Sequence, residues 1–287
     1  MRKSLLSLTL IFGSALLAGA VTPLWLRDVQ ISPDGSTLAF TYKGDIFTVP
    51  VSGGTATRLT SGDTYEQMPV WSPDGKQIAF ASDRNGGTDI FVMSSAGGQA
   101  RQITFNSAAE LPEAFTPDGK NVVYSAYIQA PASSLVYPTA RMTQLWQVPA
   151  EGGRPERVLA TPAKSPAFLA DGKSFLYYDV KGFEDEWRKH HTSSVTRDIW
   201  RYDAATGRHT NLTDRPGEDR QPVLSADGKT VYFLSERDGG SFNVYSFPID
   251  NPSQVKALTS FATHPVRFLS RGADGTLAFT YDGEIYT

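Results

Sequence analysis

A short phrase that recurs along the chain constrains its fold more than any other feature. Ile31-Ser32-Pro33-Asp34-Gly35 returns as Trp71-Ser72-Pro73-Asp74-Gly75 and as Phe115-Thr116-Pro117-Asp118-Gly119. Reduced copies follow at Leu169-Ala170-Asp171-Gly172, Leu224-Ser225-Ala226-Asp227-Gly228 and Ala273-Asp274-Gly275. The aspartates stand at 34, 74, 118, 171, 227 and 274, so successive copies lie 40, 44, 53, 56 and 47 residues apart. A period near 40 residues is that of a four-stranded propeller blade, and it is too long for a leucine-rich repeat. Within a copy, proline fixes one φ and glycine supplies a positive one, which makes a tight turn between strands.

The second copy shows the blade most clearly. Val70 and Trp71 end an inner strand, Gln77 to Phe80 forms the next, Asp89 to Met93 the third, and Arg101 to Thr104 a polar outer strand. Turns fall at Asp83-Arg84-Asn85-Gly86-Gly87 and at Gly97-Gly98. Inner strands are apolar because both faces of a blade pack on neighbours, while a short charged edge discourages outside pairing. The expected fold class is all-β: a six-bladed β-propeller of four-stranded antiparallel blades. The blades fall at about 25–62, 63–105, 106–160, 161–214, 215–260 and 261–287. The sixth has an inner strand at Pro265 to Ser270, a second at Thr276 to Thr280 and a third beginning at Glu284, but no outer strand. That pattern is expected of the front of a longer polypeptide.

Two copies are enlarged at the same connection, between the second and third strands. The insertions are Tyr127 to Arg141 and Lys181 to Arg197. Both are expected on one face of the ring, where such insertions mark a working face. The second concentrates Phe183, Trp187, His190 and His191 among seven charged residues. Aromatics in a polar frame are the composition of an interface anchor, so these four are candidates for docking a following domain.

Residues 1–20 read as an export signal rather than as part of the fold. Arg2 and Lys3 are followed by the apolar stretch Leu5 to Leu17, then Ala18-Gly19-Ala20, with cleavage expected before Val21. The stretch is too short to span a bilayer comfortably. The mature chain is therefore expected to be periplasmic or otherwise secreted from a bacterium, with no membrane anchor after cleavage. The 27 Lys and Arg against 30 Asp and Glu carry no basic surplus of the kind a nucleic-acid binder shows. The absence of cysteine excludes disulfides, thiolate metal sites and a cysteine nucleophile.

The chemistry-bearing residues are few. No G-x-S-x-G elbow, H-E-x-x-H, P-loop or dinucleotide fingerprint occurs. Four histidines are present. His209 reads as an outer-strand surface residue. The His190–His191 pair lacks a third spaced histidine for zinc, so no metal ligands, cofactor or catalytic residues are assigned. Each Asp-Gly turn carries one carboxylate, too few for calcium, and reads as a turn former. Arg27, Glu66, Glu110, Glu113, Glu218, Asp219, Arg220 and His264 fall at the starts of inner strands. They are candidates for the mouth of the central channel, where a ring of charge would steer peptides by focusing the field; a solvated rim is the plainer alternative.

The second copy, Ser72-Pro73-Asp74-Gly75-Lys76 with Ile78-Ala79-Phe80, Ser82-Asp83-Arg84 and Asp89 to Met93, resembles the repeat shared by the Tol-system propeller protein and the tricorn proteases. Thr22 to Arg27, Gly182 to Thr192 and His264 to Ser270 resemble the first propeller of periplasmic tricorn-like serine peptidases. The resemblance implies a six-bladed propeller followed by a seven-bladed one, a peptide-binding module and a serine peptidase core. The catalytic residues of that family lie in the core, so none is placed on this sequence. The implied partners are unfolded peptides or oligopeptides, the downstream propeller and protease domains, and, as one option, further copies of the chain. The role implied is a non-catalytic domain that gates or guides peptides and docks to those domains. Two alternatives stay open: a stand-alone interaction propeller of the Tol-system type, and a propeller enzyme, which needs paired carboxylates facing the channel.

Overall fold

In the computed structural model, residues 25–128, 142–182, 184–185, 187–188, 191–239 and 241–287 are described, and among them all regular structure is β. The signal segment, most of the 127–141 insertion, Phe183 and His190 lie outside the described residues. The first blade is β1 (Arg27–Ile31), β2 (Thr37–Tyr42), β3 (Asp45–Pro50) and β4 (Thr57–Arg58); the second is β5 (Glu66–Trp71), β6 (Gln77–Ser82), β7 (Asp89–Ser94) and β8 (Arg101–Gln102). The third runs through β9 (Glu110–Phe115), β10 (Asn121–Ala126) and β11 (Gln144–Pro149) into β12 (Glu156–Phe168). The fourth continues with β13 (Phe175–Asp179), β14 (Ile199–Asp203) and β15 (Arg208–Asn211). The fifth is β16 (Asp219–Leu224), β17 (Thr230–Ser235), β18 (Asn243–Pro248) and β19 (Lys256–Ala257). The sixth is β20 (Arg267–Arg271), β21 (Leu277–Tyr281) and β22 (Glu284–Tyr286).

Every pairing is antiparallel between sequence neighbours, and each sheet is ordered from its inner strand outward. The inner strands β1, β5, β9, β12, β16 and β20 touch in that order, and β20 returns to β1, so the ring is closed. Six apolar clusters lie one at each blade interface, as between Val70, Ile90 and Ile103 of the second blade and Phe115, Val122 and Tyr124 of the third. Closure between the sixth and first blades uses inner-strand and turn contacts. The Ala273 N–H donates to the Pro33 carbonyl (2.8 Å), Ile31 N–H to Ser270 Oγ (3.1 Å), and Leu26 N–H to the Gly283 carbonyl (3.0 Å).

The recurring turns form as their residue types require. Ser32 Oγ donates to Asp34 Oδ1 (2.5 Å), and the same oxygen accepts the Ser36 N–H (3.0 Å). These hydrogen bonds hold the Asp34 carboxyl down at about 2. Gly35 takes φ +77°, and a Cβ there would lie 2.8 Å from the Asp274 side chain of the adjoining turn.

The third and fourth blades each have four strands but share β12, whose first part is the outer strand of one and whose second part is the inner strand of the other, so the two run together as seven strands. At this junction Gln144 pairs with Pro162 on one side and Ala163 with Asp179 on the other, so no connecting residues stand between the outer and inner strands, whereas 59–65, 103–109, 212–218 and 258–266 separate them elsewhere. The sixth sheet has three strands among the described residues.

Candidate functional site

Antiparallel order places the Asp-Gly turns on one face of the ring. The opposite face carries the connections from second to third strand and from outer strand to the next blade. Exposed large apolar side chains gather there: Trp25, Tyr65, Phe105 and Trp187 all lie on the loop face. The inner strands begin at that face, and each is interrupted by a register shift near its start. At the shift Asp28, Met68, Ser165, Gln221 and Phe268 adopt φ between 52° and 58°. Each stands six residues before its turn aspartate. Pro112 holds that place in the third blade, where the proline ring forbids a positive φ.

A left-handed residue costs about 1–2 kcal/mol, so contacts must hold the bulges in place. Lateral hydrogen bonds do so. The Met68 N–H donates to Asp28 Oδ2 (3.2 Å), Ser165 N–H to Glu113 Oε2 (3.1 Å), and Leu269 N–H to Gln221 Oε1 (3.2 Å). A bulge re-aims side chains, and the residue just before each left-handed one is largely half-open. That position holds Arg27, Gln67, Leu111, Lys164, Arg220 and Arg267; all are partly exposed except Arg220. Four of the six inner strands thus bring a cation to the same level, forming a collar at the start of the ring.

The carboxylates singled out from sequence occupy a different level. Glu66, Glu110, Glu218 and Asp219 are all buried. Glu66 accepts from Thr64 Oγ1 (2.7 Å) and Ser82 Oγ (2.9 Å) and pairs with Arg84 (3.1 Å). Asp219 pairs with Arg237 (3.0 Å) and Arg215 (3.4 Å); burial still pushes its carboxyl up, against the pull of both arginines. Glu110 faces Asp89 of the second blade, and in place of Arg84 and Arg237 the third blade has Ile128. Burial raises both carboxyls of that pair. His264 Nε2 lies 3.1 Å from Asp282 Oδ1.

The segment 181–197 crosses from the fourth blade over the ring. Arg188, almost fully buried, places Nη2 2.9 Å from Glu218 Oε2 and 2.7 Å from Glu236 Oε2, both in the fifth blade. Arg197 (3.2 Å) and Arg220 (3.8 Å) complete the shell around Glu218, whose carboxyl burial raises while these arginines lower it. The guanidinium of Arg220 also lies 4.0 Å over the Phe242 ring. Trp187, half exposed, sits with Arg27 of the first blade 4.5 Å and Arg267 of the sixth 4.9 Å from its ring. Arg267 donates to the Arg188 carbonyl (3.2 Å). His191 is exposed, 3.5 Å from Glu184. Beneath Trp187, between the sixth and first blades, a cavity of about 420 Å³ is lined by Leu26, Arg27, His264, Pro265, Arg267 and Phe268, among others.

The structure therefore links Arg27, His264 and Trp187, through Arg267 and Arg188, to Arg197 and Arg220 around Glu218. Glu66, Glu110 and Asp219 are set inside the blade interfaces. Aligning the copies on their aspartates would have revealed the cationic position from sequence. The left-handed residues carry no such signal, since Asp, Met, Ser, Gln and Phe share no turn propensity.

Residues 23–287 match the family described as the tricorn protease N-terminal β-propeller domain. The crystal structure of the tricorn protease superposes with a TM-score of 0.74 at 22% identity, covering 92% of this chain and 25% of that one. A TolB-type protein from Agrobacterium tumefaciens gives 0.70 at 19% identity, covering 90% of each chain. An uncharacterized protein of Agrobacterium fabrum is 29% identical over 148 residues, 50% of this chain and 44% of its own. The chain thus spans less than half of that relative and a quarter of the tricorn protease structure. With a family match over residues 23–287, which takes in every described residue, and a closed ring of propeller blades, the chain belongs to the tricorn protease N-terminal β-propeller family.

Proposed function

We propose that this chain is the non-catalytic first propeller of an exported tricorn-type serine protease, whose loop face receives unfolded peptides and docks the domains that act on them. The observation that carries this reading is the 181–197 segment. It is held across the ring by buried ion pairs to Glu218 and Glu236 and roofs a cavity between the sixth and first blades. A segment fixed at that cost in desolvation presents a preformed surface, and cavities with apolar walls and a few polar groups are where ligands bind. The exposed aromatics on the same face supply contact area for a following domain. Membership of a family described as the N-terminal domain of a protease supports the docking part of this reading.

The experiment incubates the purified protein with unfolded peptides, following binding by anisotropy and cleavage by mass spectrometry. Saturable binding without cleavage is expected. Cleavage abolished by altering His264 or His191 overturns the non-catalytic reading, and absence of binding overturns the peptide reading. A second reading, a stand-alone periplasmic interaction propeller, is favoured by the mutual 90% coverage with the TolB-type protein. Co-purification of the chain, expressed alone, with a separate periplasmic protein at fixed stoichiometry would support it.

A further inference from the structure

In three blades of this ring a cation meets the buried carboxylates at the loop-facing strand ends. A basic residue stands two places beyond the second strand, as Arg84, Lys181 and Arg237. Arg84 lies 3.1 Å from Glu66, Lys181 3.2 Å from Asp179 and 2.7 Å from Asp198, and Arg237 3.0 Å from Asp219. In the third blade Ile128 holds that place and packs on the apolar cluster between the second and third blades. Two carboxyls face each other there without a cation. Asp89, at the start of β7, is 5% exposed, and Glu110, at the start of β9, 1%. The Asp89 carboxyl accepts a hydrogen bond from that of Glu110. From β8, Gln102 Nε2 donates to Asp89 Oδ2 (3.0 Å). From the 103–109 connection the Asn106 N–H donates to Glu110 Oε2 (3.4 Å), and the Thr104 hydroxyl, which accepts the Ile90 N–H (2.9 Å), donates to Glu110. From β10 the fully buried Tyr124 hydroxyl faces Glu110. Tyr124 is the one further titratable group beside the pair among the described residues, and Arg84 is committed to Glu66. Asp89 Oδ1 is buried and receives no N–H donor, which leaves the proton of Glu110 to satisfy it.

Two ionised carboxylates this close and this dry repel, and with no cation between them a single shared proton balances the site. We infer that Asp89 and Glu110 share one proton across the interface of the second and third blades, that this proton clasps the 103–109 connection to the ring, and that the loop face beside the exposed Phe105 loosens when the proton leaves to solvent. Their titration belongs to the pair and not to either residue. Burial raises both carboxyls, so the stabilisation is fully present below the ordinary carboxylate range and is lost as pH rises through the folded values. The first–second interface lacks this response, because Glu66 there keeps an arginine that stays charged throughout.

The test follows hydrogen–deuterium exchange of the intact chain from about pH 5 to about pH 8, with a chelator present and protection corrected for intrinsic exchange. Protection across 103–109 is expected to fall about tenfold over that range, while the equivalent connection 59–65 changes by less than about twofold. In Glu110→Gln the amide donates without a titrating proton, and in Ile128→Arg a fixed cation stands where the other blades have one; both should flatten the fall. The infrared difference between the original chain and Glu110→Gln at about pH 6 should carry the band of a protonated carboxyl. Absence of that band, parallel behaviour of the two connections, or a pH dependence that survives in Glu110→Gln and Asp89→Asn alike overturns the inference. So does restoration of protection at the upper pH by added calcium or magnesium, which would put a metal ion in place of the proton. The comparison of the two connections needs only the original chain, so it decides the matter even where a variant fails to fold.

Discussion

Replacing Arg188 by Met tests how the crossing segment is held. Arg188 faces two buried carboxylates, Glu218 at 2.9 Å and Glu236 at 2.7 Å, and its side chain is 3% exposed. Removing one partner of a buried ion pair costs about 3–5 kcal/mol, because the other charge stays buried without compensation. Here the low end applies. Glu218 keeps Arg197 and Arg220, and Glu236 keeps the N–H groups of Ser193 (3.0 Å) and Glu218 (2.7 Å). The expected loss is therefore about 3 kcal/mol, or roughly 6–12 °C in melting temperature for a domain of this size. Urea denaturation of Arg188→Met, Glu236→Gln and the double variant forms a thermodynamic cycle. The double variant should recover at least about 1 kcal/mol relative to Arg188→Met, since the uncompensated charge is gone. An Arg188→Met protein within about 0.5 kcal/mol of the original, or strictly additive variants, would refute a structural role for the pair.

Four further outcomes follow from the same structure. Burial raises the carboxyls of Asp89 and Glu110, so the stability they contribute is present at low pH and lost as pH rises through their folded values. Glu110→Gln should therefore gain on the original protein as pH climbs from mildly acidic to neutral, measured by urea midpoints across pH; a constant difference contradicts it. The turn aspartates behave oppositely. Asp34 and its counterparts Asp74, Asp118 and Asp227 are held low by hydrogen bonds, so their contribution is present above the usual carboxylate value of 3.8 and lost as pH falls toward about 2 at Asp34. Asp74→Asn should flatten part of that acid loss in thermal scans. Gly35→Ala forces a Cβ to 2.8 Å from Asp274 at φ +77° and should cost at least about 1–2 kcal/mol, read from urea midpoints. Amide exchange should be faster along β22, which has no outer neighbour among the described residues, than along β18, which pairs with β19.

Much of the fold was legible because one physical device is repeated. Each Asp-Gly turn fixes the end of an inner strand, and the spacing of the aspartates sets the blade count. At Leu159 to Ala163 no connecting residues separate outer from inner strand, so the chain runs straight on and two blades share β12. The starts of the inner strands were located from sequence, but not the direction each residue takes. Glu66 and Arg27 both stand at such starts, yet one is sealed beside Arg84 and the other lies open beside Trp187. Glu66 stands eight residues before its turn aspartate and Arg27 seven, so they occupy adjacent strand positions that point to opposite sides. The concentration of aromatics and charge in 181–197 was visible. Its fixation to the fifth, sixth and first blades was not, because contact across the ring depends on where the fourth blade points its loop.

The most direct test of peptide reception on the loop face is hydrogen–deuterium exchange of the intact chain with and without a saturating unfolded peptide. Peptide-dependent protection confined to the segments around Arg27, Trp187 and Arg267 is the expected result. Protection at the Asp-Gly turns on the opposite face, or none at concentrations where the peptide is bound, would contradict it.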